Sequence, residues 1–95
     1  MAELSVNSYF DNQVKSIALE NNEGVSTVGV MAVGEYEFGT SQREYMTVVS
    51  GLLTVKLPGS EDWVEFKQNE TFIVEANQSF GVKVNEQTAY HCRYE

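Results

Sequence analysis

One carboxylate stands at a fixed distance from a turn residue. Six residues separate Glu44 from Gly51 in the run Glu44-Tyr45-Met46-Thr47-Val48-Val49-Ser50-Gly51. A carboxylate entering a strand in this way can act as a metal ligand, but transition metals need three or four well-placed donors. The preceding stretch, Phe38-Gly39-Thr40-Ser41-Gln42-Arg43, supplies no histidine, and the chain has one histidine in all, His91. No metal is therefore expected. An imidazole such as that of His91 can serve as a general base. Without a visible orienting partner, an exposed position on the last strand is the plainer reading. The lone cysteine, Cys92, has no basic cluster to lower its pKa, so a buried structural thiol is expected rather than a nucleophile. Tyr36, Phe38 and Trp63 can stack on a flat ligand or fill a core. There is no Gly-x-Gly-x-x-Gly element, no Walker lysine and no serine-centred nucleophile elbow. The six cations are Lys15, Arg43, Lys56, Lys67, Lys83 and Arg93, and any phosphate must be held by some of these or by backbone N–H groups.

The elements that position these groups read as strands. Candidate strands cover Val14–Leu19, Val25–Val33, Glu35–Phe38, Met46–Val49, Leu52–Leu57, Trp63–Phe66, Thr71–Val74, Phe80–Val84 and Thr88–Tyr94. Each is rich in β-branched or aromatic residues and bounded by turn chemistry such as Asn22-Glu23-Gly24, Ser50-Gly51 and Pro58-Gly59-Ser60. No window has a clear helical period, and Ser8–Asp11 reads as no more than a short turn of helix or an arm. Many short strands at regular spacing predict a sandwich or barrel, with the sheet edges managed in a double-sheet jelly roll. Alternation puts Thr88, Tyr90, Cys92 and Tyr94 on one face of the last strand, and Ala89, His91 and Arg93 on the other. Glu44 shares a face with Met46 and Val48, and Lys15 shares one with Ile17 and Leu19.

Ninety-five residues fit a single domain, 1–95, with residues 1–8 standing as a candidate flexible arm. A chain this small buries a modest share of its surface, and a homodimer is expected. The N-terminal residues have neither a charged leader nor an apolar stretch, so no signal peptide or membrane anchor is expected, and a cytoplasmic location is the default. The net charge of −8 argues against a nucleic-acid partner, which would need a basic surface.

Two resemblances extend this reading. The Glu44-to-Gly51 spacing resembles the carboxylate-to-glycine half of the first cupin motif, without its histidines. Phe80 falls where the second motif has its metal histidine. The fold expected is thus all-β: a single-domain cupin-type jelly-roll barrel, without metal. Longer words, from Tyr9-Phe10 through Val14-Lys15-Ser16-Ile17, Gly34-Glu35-Tyr36, Met46-Thr47-Val48 and Ser50-Gly51 to Tyr90-His91-Cys92-Arg93-Tyr94, resemble the bacterial pyrimidine/purine nucleoside phosphorylase family. That resemblance implies phosphorolysis of pyrimidine and purine nucleosides to free base and α-D-ribose 1-phosphate. Inorganic phosphate would be co-substrate, and there would be no cofactor. A non-catalytic cupin binding a sugar or small metabolite is the alternative. Mapped onto the matching words, the chemistry suggests Glu44 and Arg93 as the catalytic pair, Glu44 for the ribose hydroxyls and Arg93 for phosphate. Lys15 is a second phosphate candidate, with Arg43 third. Thr40, Thr47 and Ser50 are candidate hydroxyl partners, and Tyr36, Phe80 and Tyr90 are candidate base-contacting rings.

Overall fold

The computed structural model describes residues 4–95 and is built from ten strands. They are β1 (Val6–Tyr9), β2 (Val14–Asn21), β3 (Gly24–Met31), β4 (Gly34–Gly39), β5 (Glu44–Ser50), β6 (Leu52–Lys56), β7 (Val64–Lys67), β8 (Thr71–Val74), β9 (Ser79–Val84) and β10 (Thr88–Tyr94). The strand order is β1-β2-β3-β10-β5-β8 in a six-stranded sheet and β4-β9-β6-β7 in a four-stranded one. Every paired neighbour is antiparallel. No ladder joins the two sheets among the described residues, so the jelly roll is a sandwich rather than a barrel closed by hydrogen bonds.

Alternating side chains fill the space between the sheets. Val14, Met31, Met46 and Val48 come from the larger sheet, and Leu53, Val55, Val82 and Val84 from the smaller; all are almost fully buried. A tight turn carries the chain between the sheets. Gly51 takes a φ of +108°, which lets the chain turn from β5 in the larger sheet into β6 in the smaller. Thr88 secures that turn: its hydroxyl accepts from Leu52 N–H at 3.1 Å and donates to the Glu86 carbonyl at 2.8 Å. Between β10 and β5, Ala89 pairs with Ser50 but Tyr90 pairs with Val48. Val49 is therefore an extra residue, a bulge that keeps Val48, Met46 and Glu44 facing inward below it.

The N-terminal segment departs from expectation. Val6–Tyr9 is a strand paired with β2, neither a free arm nor a turn of helix. Its alternation is short and half-exposed, as edge strands allow, which is why no apolar pattern marked it. Residues 1–3 of the expected arm lie outside the described residues.

Candidate active site

The inward face of β10 and the ladder beside it build a pocket. Tyr94 pairs with Glu44, Cys92 with Met46 and Tyr90 with Val48, so Glu44 points between the sheets beside Tyr94 and Cys92. The pocket, about 140 Å³, is completed by Tyr9, Ser16 and Met31 from the same sheet. Phe38 and Phe80 form the opposite wall, with ring centroids 5.7 Å apart in a stacked arrangement. Gly29 lets Tyr90 lie flat over β3, because a Cβ there would come within 2.6 Å of the ring and hydroxyl.

Among the described residues, Glu44 is the only formally charged side chain lining this pocket. Burial raises its pKa above the usual glutamate value, and the hydrogen bond from the Cys92 thiol, Sγ to Oε1 3.5 Å, acts the other way. Burial pushes the Cys92 thiol well up, and the neighbouring Glu44 charge pushes it further. Burial also raises Tyr94, whose hydroxyl shares a 3.1 Å hydrogen bond with Thr27. Tyr90 is pushed up to about 12, chiefly by burial. At neutral pH the phenols and the thiol are thus protonated donors surrounding one carboxylate.

The structure brings Glu44, Phe80 and Tyr90 together. It does not bring the other sequence-derived candidates to them. Arg93 lies on the outer face of β10, where it stacks on Tyr45 at 4.5 Å and pairs with Glu95 at 3.2 Å. It therefore cannot share a ligand with Glu44 across the sheet. Lys15 is exposed on the outer face of β2, because Val14 and Ser16 take the inward positions. Arg43 is exposed and paired with Glu75 at 2.9 Å. Thr47 faces outward and hydrogen-bonds Thr71 at 2.7 Å. Ser50 is exposed at the end of β5. Thr40 is buried, and its hydroxyl donates to the Glu75 carbonyl at 2.7 Å and accepts from Gln78 N–H at 3.0 Å. That clasp ties β4 to the β8–β9 turn rather than presenting a hydroxyl to a ligand. The Tyr36 hydroxyl is committed to the Ala32 carbonyl at 2.6 Å.

Alternation alone points to two further pocket residues. Cys92 and Tyr94 share the face of Tyr90, and Glu44 is their cross-strand neighbour. Tyr9 depends on β1, which the sequence pattern did not mark, whereas Ser16 sits on β2, on the face opposite Lys15, Ile17 and Leu19. The donors do not suit a transition metal. Glu44 and Cys92 are the pocket's strong ligand types, and two phenylalanines stand opposite. Among the described residues no group of three His, Cys, Asp or Glu could hold a metal ion.

Residues 4–94 match the family model described as pyrimidine/purine nucleoside phosphorylase. The chain belongs to the pyrimidine/purine nucleoside phosphorylase family. A relative of that name from Cellvibrio japonicus is 61% identical over 90 residues, covering 95% of this chain and 97% of its own. Another from Pseudomonas aeruginosa (strain PAO1) is 58% identical over 89 residues, covering 94% and 96%. Among solved structures, a protein of unknown function from Vibrio parahaemolyticus superposes with a TM-score of 0.94 at 46% identity, covering 99% of this chain and all (100%) of that one. Membership of the pyrimidine/purine nucleoside phosphorylase family spans both sheets and every pocket residue named above.

Proposed function

We propose that this pocket carries out nucleoside phosphorolysis, with Glu44 as the catalytic carboxylate. A phosphate oxygen bonds to C1′ of the sugar as the C1′–N bond breaks. The bond electrons leave with the base, which takes up the proton that phosphate gives up, and ribose 1-phosphate remains. The observation that carries the reading is one inward carboxylate ringed by neutral hydroxyl donors in a chain of this family. Positive charge builds on the sugar as the bond to the base weakens, and a carboxylate beside it stabilises that charge while accepting from the ribose diol.

The small pocket takes one ring of the nucleoside and leaves the other towards its mouth. Phe38 and Phe80 offer an apolar face to a base without reading its edge, which supports broad specificity for pyrimidines and purines. In this reading the enzyme is a pentosyl-transferring glycosyltransferase with inorganic phosphate as co-substrate and no metal. Phosphate is held by hydroxyls and backbone N–H groups, since no cation among the described residues lines the pocket. The working form is a homodimer in the cytoplasm. Dimerisation uses the outer face of the six-stranded sheet, where Val6, Ile17 and Val28 form an exposed apolar row across three strands. No helix is long and apolar enough to cross a membrane among the described residues.

The test is purified protein with uridine or a purine nucleoside, with and without phosphate. Free base and ribose 1-phosphate should appear only with phosphate, and a strong chelator should leave the rate unchanged. Binding of nucleoside without any phosphate-dependent turnover would leave a binding cupin instead.

A further inference from the structure

Tyr9 reaches the pocket through an unusual piece of backbone. Phe10, Asp11 and Asn12 have φ values of 53°, 53° and 70°, three consecutive residues with side chains in the left-handed region. That region is disfavoured for residues with a Cβ and persists where surrounding contacts enforce it, often at functional sites. The contacts here are specific. Gln13 N–H donates to the Phe10 carbonyl at 3.1 Å, Ala32 N–H donates to the Gln13 carbonyl at 2.8 Å, and the Ser8 hydroxyl donates to the Asn12 side chain. The Phe10 ring packs on Tyr36 at 5.0 Å and on Phe38 at 5.4 Å.

The turn fixes where the preceding side chain goes. Tyr9 pairs with inward-facing Val14, so its ring turns between the sheets and lines the same pocket as Glu44. Yet Tyr9 remains 46% exposed, so it is no core residue. Its strand stands at one edge of the sheet, with β2, β3 and β10 between it and β5. Tyr9 and Glu44 therefore hold opposite sides of the cavity.

We propose that Tyr9 is a substrate-contacting residue, held at the pocket by the left-handed Phe10–Asn12 turn, whose hydroxyl hydrogen-bonds the nucleoside on the side away from Glu44. This rests on the nucleoside reading of the same pocket. The bonded group is an oxygen acceptor, either the 5′-hydroxyl of the sugar or a carbonyl of the base.

The test compares Tyr9→Phe with the parent on uridine and on 5′-deoxyuridine. Uridine kcat/KM should fall about tenfold, the scale of one lost hydrogen bond, with the phosphate KM unchanged. If the loss vanishes on 5′-deoxyuridine, the partner is the 5′-hydroxyl; if it persists, the partner is a base carbonyl. Asp11→Val, β-branched and unsuited to the left-handed region, should raise the uridine KM while folding cooperatively, and Asp11→Gly should leave it alone. Tyr9→Phe within twofold of the parent on uridine would overturn the contact, and an unchanged KM in Asp11→Val would overturn the role of the turn. Calorimetric uridine binding separates this inference from the reaction itself. A protein that binds uridine without cleaving it sinks phosphorolysis alone, and Tyr9→Phe must still weaken that binding about tenfold. No uridine binding at all overturns both.

Discussion

As the proposed catalytic carboxylate, Glu44 has to be kept ionised in a place that favours its neutral form. Burial raises its pKa, and the Cys92 thiol counters this. In that proposed role the ionised form supports bond cleavage, so kcat/KM should fall on the acid side through a pKa above the usual glutamate range. Glu44→Gln should lower kcat/KM at least a hundredfold, about 2.7 kcal/mol, typical of losing one charge-stabilising group. The stability effect has the opposite sense. A carboxyl group whose folded pKa is raised contributes most below its unfolded value, and stability is lost as pH rises through the folded value. The thermal midpoint of Glu44→Gln relative to the parent should therefore improve as pH rises above the ordinary carboxyl range. Arg93 is a separate matter, since its guanidinium lies on the far side of the sheet from Glu44. Arg93→Ala should change the phosphate KM less than about twofold, because removing an exposed pair such as Arg93–Glu95 costs little. A tenfold rise in phosphate KM would bring the outer face back into the chemistry.

At the scale of elements, the pocket depends on how closely strands approach. Gly29 on β3 faces the Tyr90 ring of β10, and a Cβ there would also come within 2.7 Å of the Lys15 carbonyl. Gly29→Ala should cost about 1–3 kcal/mol by overpacking and should displace Tyr90, seen as a lower thermal midpoint together with a raised nucleoside KM. Sequence alternation was enough to place Tyr90, Cys92 and Tyr94 together, and to put Glu44 on the face of Met46 and Val48. Thr71–Val74 and Thr88–Tyr94 were bounded from their residue types alone, because turn residues flank both strands. What alternation cannot say is which face is inside. Lys15 stands with Ile17 and Leu19, an apolar company that suggests a core, yet that whole face is exposed. Sheet order is equally hidden in a linear pattern. Arg93 and Glu44 lie on paired strands and are close in register, but a one-residue offset sets them on opposite faces.

Across the whole molecule, apolar surface and charge are unevenly distributed. Ile17, Val28 and Val30 are each about two-fifths exposed on the outer face of the large sheet. Val28→Glu, at the middle of that face, should convert a dimer to a species of 10.7 kDa by light scattering without unfolding it. The acidic balance of −8 is matched inside the cavity, which among the described residues is lined by one carboxylate and no cation. That asymmetry bears on the moment after bond cleavage. Ribose 1-phosphate leaves as a dianion, and here neutral donors would have to retain it against a neighbouring negative charge. Departure should therefore be quick, unlike the many enzymes whose turnover waits on product escape. Rapid-quench experiments should show base accumulating linearly from the first turnover, with no initial burst. Loose retention of both anions would give high KM values for phosphate and for ribose 1-phosphate, so the rate in each direction would track their concentrations nearly linearly.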